Sequence, residues 1–192
     1  MKTPKPISLF QLKGMVQEYL AGRKRVCGGI IYDAECDCDI PEGKTLEEAI
    51  RHATMSLDKS GKKCPHQRRV APAALQELHR ELTLQLEHID GCTTFAALHD
   101  IISSAASRIR GVGALTVYDV AVRIGCFKKL KPEMVYLHAG TREGAQNLGL
   151  DYKKPTLAVD HTLPEPLRKL APAHMEDFLC IYKSKLGPIT AE

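Results

Sequence analysis

Two helical patterns joined by a pair of glycines are the feature that most constrains how this chain folds. In the first pattern, apolar residues recur at steps of three and four from Phe95 onward, as they do on the buried face of a helix. Gly111 and Gly113 then interrupt the pattern, and a second apolar stripe begins after Thr116. The sequence therefore predicts a helix, a glycine hairpin and a second helix within residues 93–131.

The two glycines suit either of two roles, and the sequence alone does not separate them. Because glycine has no Cβ atom, Gly111 and Gly113 permit a tight reversal in which backbone N–H groups point outward together. Those N–H groups, with the start of the following helix, form a site for an anion such as a phosphate. The alternative is an ordinary turn between two core helices.

Positive charge is concentrated around this hairpin. Residues 105–131 contain six basic residues and one acidic residue, which gives the segment a charge of +5, whereas the whole chain carries +4. The rest of the chain is therefore close to neutral. A net charge of this size does not by itself indicate a nucleic-acid partner. Only the clustering of basic residues near the hairpin supports such a partner.

The hairpin resembles the helix-hairpin-helix motif of DNA-binding proteins. The residues that carry the resemblance are Ile109, Gly111, Val112, Gly113, Thr116 and Ala121. Arg110 stands where that family commonly has proline. The resemblance implies that the hairpin amides bind the DNA backbone without reading its sequence, with Gly111 and Gly113 in that role.

The preferred interpretation is a sequence-nonspecific DNA-binding protein that acts in DNA repair or processing. Aromatic residues make up 5% of the chain and tryptophan is absent, which argues against a stacking platform for single strands and favours duplex DNA. Binding through phosphates is expected to weaken with salt. The candidate DNA-contacting residues are Arg108, Arg110, Gly111, Gly113, Thr116, Arg123, Lys128 and Lys129.

Two alternatives stay open, a divergent DNA-glycosylase-like enzyme and a non-catalytic protein-interaction module. The lyase members of the glycosylase family carry a nucleophilic lysine two residues beyond the last hairpin glycine. This chain has Leu115 there, which cannot form a Schiff base, so lyase chemistry through that position is excluded. Glu133 falls about where the family has an aspartate at the start of a later helix, although helix-dipole effects also explain a glutamate there. His138 is a candidate general base, or a phosphate contact with Arg142, or a structural residue. Asp119 is better explained as a helix-capping carboxylate than as a catalyst.

Cysteine and histidine donors form two close pairs in the first third of the chain. Cys36 and Cys38 precede a predicted helix, and Cys64 and His66 follow it. Four such ligands suit one structural zinc ion, although their spacing is tighter than in zinc fingers, and unligated side chains are the alternative. Seven cysteines, an odd number, argue against a secreted disulfide framework, and Cys126 is expected to be a free buried thiol.

Periodicity along the chain predicts a mainly α, multi-helix globular protein with about seven helices and a cysteine-containing loop region near the N-terminus. We expect residues 1–70 to form N-terminal helices with cysteine-containing loops, possibly a zinc annex. Residues 71–192 are expected to form a helical domain that contains the helix-hairpin-helix unit at about 93–131. Because no segment resembles a membrane span or a signal peptide, the expected location is cytoplasmic, with no membrane partner.

Several helix boundaries follow from local signals. The capping box at Thr45 predicts the start of a second helix. Pro72 suits the first position of a third helix, which the apolar pattern extends to Ile89. Pro132 suits another helix start, and a short helix is expected after a break at Gly140.

Overall fold

The computed structural model of the protein is mainly α-helical, as the sequence predicts. It describes residues 4–22, 24–27, 30–33, 44–56 and 69–190. The helices in these ranges are α1 (Leu9–Ala21), α2 (Leu46–Thr54), α3 (Pro72–Thr83), α4 (Leu86–Asp90), α5 (Phe95–Ala106), α6 (Ala114–Phe127), α7 (Ala139–Asn147) and α8 (Pro172–Tyr182). None of these helices is long and apolar enough to cross a membrane.

Short strands pair into three two-stranded sheets within the described ranges. The strands are β1 (Ile7–Ser8), β2 (Lys24–Cys27), β3 (Ile30–Asp33), β4 (Val135–Tyr136), β5 (Thr156–Leu157) and β6 (Ile189–Thr190). The pair β1–β6 is parallel, whereas β2–β3 and β4–β5 are antiparallel. A short 3₁₀ helix covers Leu167–Lys169.

The chain divides into two compact units. The terminal unit comprises Met1–Arg23 and Pro132–Glu192, and the central unit comprises Lys24–Lys131. This division differs from the predicted boundary after residue 70. The reason is that apolar residues of α1 share one core with residues that lie far along the chain, in α7 and α8.

In the terminal unit, the first and last of the described strands, β1 and β6, pair with each other. Ile7 of β1 lies opposite Ile189 of β6, and the Ile7 amide donates to the Pro188 carbonyl at 3.0 Å. Gly187 is close to the first segment here, since a Cβ atom on it would overlap the Lys5 carbonyl. This unit therefore depends on contacts between residues far apart in sequence.

Helices α7 and α8 of the terminal unit pack closely through two glycines. Gly140 and Gly144 are four residues apart and so lie on one face of α7. A Cβ atom on Gly144 would overlap the Leu179 carbonyl, and one on Gly140 would lie 2.6 Å from the Cys180 sulfur. The short helix expected after a break at Gly140 is confirmed as α7, which begins one residue earlier, at Ala139.

In the central unit, α2, α3, α5 and α6 pack around a shared core. The predicted capping box is confirmed: the Thr45 hydroxyl accepts from the Glu48 amide at 3.2 Å, and the Glu48 carboxylate accepts from the Thr45 amide at 2.9 Å. The core side chains with no exposed surface include Ala49, Ile50, Ala53, Leu78, Leu82, Ile89, Phe95, Leu98, Ile102, Val120, Ala121 and Ile124.

Two predicted helices differ in the structure. The apolar pattern from Pro72 to Ile89 is split by a turn at Leu84, so that it forms α3 and α4 rather than one helix. No helix begins at Pro132, because the residues just after it form β4 against β5.

Candidate nucleic-acid interface

The segment between α5 and α6, residues 107–113, connects these two helices through a turn, and we call it the hairpin below. Its turn is closed by backbone hydrogen bonds, including one from the Val112 amide to the Ile109 carbonyl at 3.2 Å. Gly111 has a φ of +92°, in the left-handed region that favours glycine. The chain therefore needs glycine at position 111 to make this reversal.

The hairpin ends at an exposed helix N-terminus. Gly113 is the N-cap of α6, in extended conformation, and as a glycine it offers no side chain to cap the helix. The expected cap, Asp119, instead lies in the second turn of α6. The amides of Ala114 and the next residues have no acceptor within the helix. They carry the positive end of the helix dipole, which favours an anion.

The space in front of these amides is open. A Cβ atom on Gly111 or on Gly113 would meet no other atom within 4 Å, and both residues are exposed. Arg108 and Arg110 of the hairpin are exposed as well. Neither guanidinium forms an ion pair within the described part of the chain. The hairpin therefore presents amides and two cations to solvent.

Other predicted DNA-contacting residues lie elsewhere on α6. This helix has 14 residues and is about 20 Å long, so Lys128 and Lys129 lie at the end opposite the hairpin. Lys128 Nζ donates to the Asp90 carbonyl at 2.7 Å and lies 3.6 Å from the Asp90 carboxylate. Lys129 is exposed, whereas Arg123 is half-buried. The positive charge is therefore divided between the two ends of α6.

Thr116 lies in the first turn of α6, but its side chain is buried. Its hydroxyl faces the protein interior, so only its backbone amide belongs to the exposed helix N-terminus. Lys128, held by Asp90, is likewise less available to a ligand than an unpaired lysine. These two placements reduce the set of predicted DNA-contacting side chains.

A pocket of about 260 Å³, which we call the hairpin pocket, opens between α5, the hairpin and α6. His99, Ser103 and Ser107 of α5 line it, together with Gly113 and Val117. The sequence interpretation missed this pocket. The sequence did contain a signal for this pocket. Its three polar residues are spaced four apart, which places them on one side of α5 and its end.

His99 is fixed in position at this pocket. Its ring stacks on Phe95, with ring centroids 6.4 Å apart and planes inclined by 30°. Burial lowers the pKa of His99 below its ordinary value, although the neighbouring Asp100 acts in the opposite direction. Burial therefore disfavours the charged imidazolium at this position.

The candidate catalytic residues belong to the terminal unit and lie in different environments. His138 is the N-cap of α7 and is buried, with its Nε2 atom 2.6 Å from Glu176. Glu133 is exposed and lies outside any helix, so the predicted position in a first helical turn was wrong. The Arg142 guanidinium donates to the backbone carbonyls of Leu137, at 2.7 Å, and of Tyr152. Arg142 therefore has a structural role, in which it connects the segments that contain these two carbonyls.

The predicted zinc ligands Cys36, Cys38, Cys64 and His66 lie outside the described residues. Within the ranges that the structure describes, no group of three or more histidine, cysteine, aspartate or glutamate side chains is arranged to hold a metal ion. Among the remaining cysteines, Cys92 and Cys180 are free thiols. Cys126 is disulfide-bonded, so the expectation of a free thiol at that position was wrong.

Comparison with known proteins gives no relative of this chain. No protein-family model, no curated protein and no solved structure matches it. Inference about function therefore depends on the geometry of the chain itself.

Proposed function

We propose that this protein binds duplex DNA without strong sequence preference, through the hairpin. The observation that carries the proposal is the exposed N-terminus of α6, whose N-cap is a glycine without a capping side chain and which opens onto unobstructed space at Gly111 and Gly113. Backbone amides in such a position bind a phosphate group through hydrogen bonds and the helix dipole. The resemblance of the hairpin to the helix-hairpin-helix motif supports the same assignment.

The surrounding charge supports a polyanion as the ligand. Arg108 and Arg110 belong to the hairpin and are exposed, so they are placed to add attraction to phosphates next to the one held by the amides. Amides and guanidinium groups that contact phosphates do not distinguish one base pair from another. Binding of this kind depends on the backbone and is therefore nonspecific in sequence.

The length of α6 supports a duplex rather than a single phosphate as the ligand. Lys129 lies about 20 Å from the hairpin along this helix, which corresponds to roughly six base-pair steps of about 3.4 Å. An extended backbone is long enough to contact both ends of α6. The proposed DNA-binding surface therefore includes Arg108, Arg110, Lys129 and the hairpin amides. The amides are expected to contribute most to the affinity.

The enzymatic alternative receives no comparable support. Of its two candidate groups, His138 is buried against Glu176, and Glu133 is exposed outside a helix. We therefore propose DNA binding alone.

The experiment that tests the proposal is a duplex-DNA binding titration at several salt concentrations with the full chain and Gly113→Leu. A Cβ atom at position 113 meets no other atom within 4 Å, so the leucine side chain extends from there into the space assigned to the phosphate. We expect affinity to fall by roughly ten- to a hundredfold, as for the loss of a hydrogen bond to a charged group. Unchanged affinity would exclude the hairpin as the phosphate site.

A matched control is Gly14→Leu. Gly14 is an exposed glycine of α1, and its Cβ position is equally open. We expect this variant to bind DNA as the unmodified protein does, with circular dichroism showing the same helical content in all three proteins. Absence of salt-dependent binding by the unmodified protein would reject the proposed function itself.

A further inference from the structure

We draw no further inference here: the strongest candidate, the buried side-chain cluster of His138, Thr141 and Glu176 between α7 and α8, belongs to the packing of these two helices, and nothing in the described part of the chain shows a ligand for it.

Discussion

The carboxylate of Glu176 lies 2.6 Å from the imidazole of His138, and both side chains are buried in the terminal unit. The Thr141 hydroxyl donates to the same carboxylate oxygen at 2.8 Å. His138 and Thr141 lie at the start of α7, whereas Glu176 is in α8. Because buried polar groups are costly without partners, this cluster ties the two helices together.

Replacing Glu176 by alanine is expected to lower the free energy of unfolding by about 3 kcal/mol, because His138 and Thr141 then lose their shared acceptor. Denaturant unfolding measures the change. The control is Glu143→Ala, which removes an exposed ion pair with Lys183 and should cost less than about 1 kcal/mol. Equal effects of the two substitutions would show that the buried cluster does not stabilise the unit.

The close contact between α7 and α8 leads to a second prediction about stability. Gly144→Ala places a methyl group against the Leu179 carbonyl, and the helices must separate. We expect a loss of about 1–3 kcal/mol, as for other overpacked sites. Gly14→Ala in α1 is the matched control, since its methyl group enters open space and should stabilise the helix by about 0.5–1 kcal/mol. A stable Gly144→Ala protein would contradict the packing described for this pair.

Local signals in the sequence were sufficient where neighbouring residues decide the structure. The capping box at Thr45 places the start of α2 correctly, because both of its hydrogen bonds join residues three apart. The glycines of the hairpin likewise mark the reversal between α5 and α6, since Gly111 needs a positive φ. In both places the cause of the structure lies within one helical turn.

Contacts between distant residues explain the predictions that failed. Val135 is in a strand because it pairs with Leu157, which no local pattern near Pro132 indicates. Gly140 lies against Cys180 of α8, a contact that no signal in the sequence near Gly140 indicates. Tertiary packing determined each of these features.

A structural zinc ion is a prediction that metal analysis of the purified protein can test. If Cys36, Cys38, Cys64 and His66 ligate one ion, the purified protein should contain about one equivalent of zinc, because four such ligands complete a tetrahedral site. Cys64→Ser should lose the metal and unfold at lower denaturant concentration. Cys92→Ser is the control, since Cys92 is a free thiol whose hydrogen bond a serine retains. Metal-free protein of unchanged stability would reject the site.

Lys129 occupies a strained position at the end of α6. The Leu130 amide donates to the Gly125 carbonyl at 2.7 Å and the Lys129 amide to the Cys126 carbonyl at 3.1 Å, a Schellman motif. Lys129 has a φ of +60°, in the left-handed region where glycine is usual. A non-glycine residue in such a conformation costs stability, which motivates the hypothesis that its side chain is used for binding. Phosphate contact at the far end of α6 is the role that we assign to it.

Lys129→Gly is therefore expected to have opposite effects on stability and on binding. Relief of the strained φ should raise the free energy of unfolding by about 0.5–1 kcal/mol. Loss of one phosphate contact should make the slope of log affinity against log salt concentration about one unit shallower. Lys129→Asn serves as control, because it removes the charge and tolerates a positive φ, so it should match the glycine variant in binding. A glycine variant that is more stable yet binds DNA with an unchanged slope would remove Lys129 from the interface and confine the phosphate contacts to the hairpin end of α6.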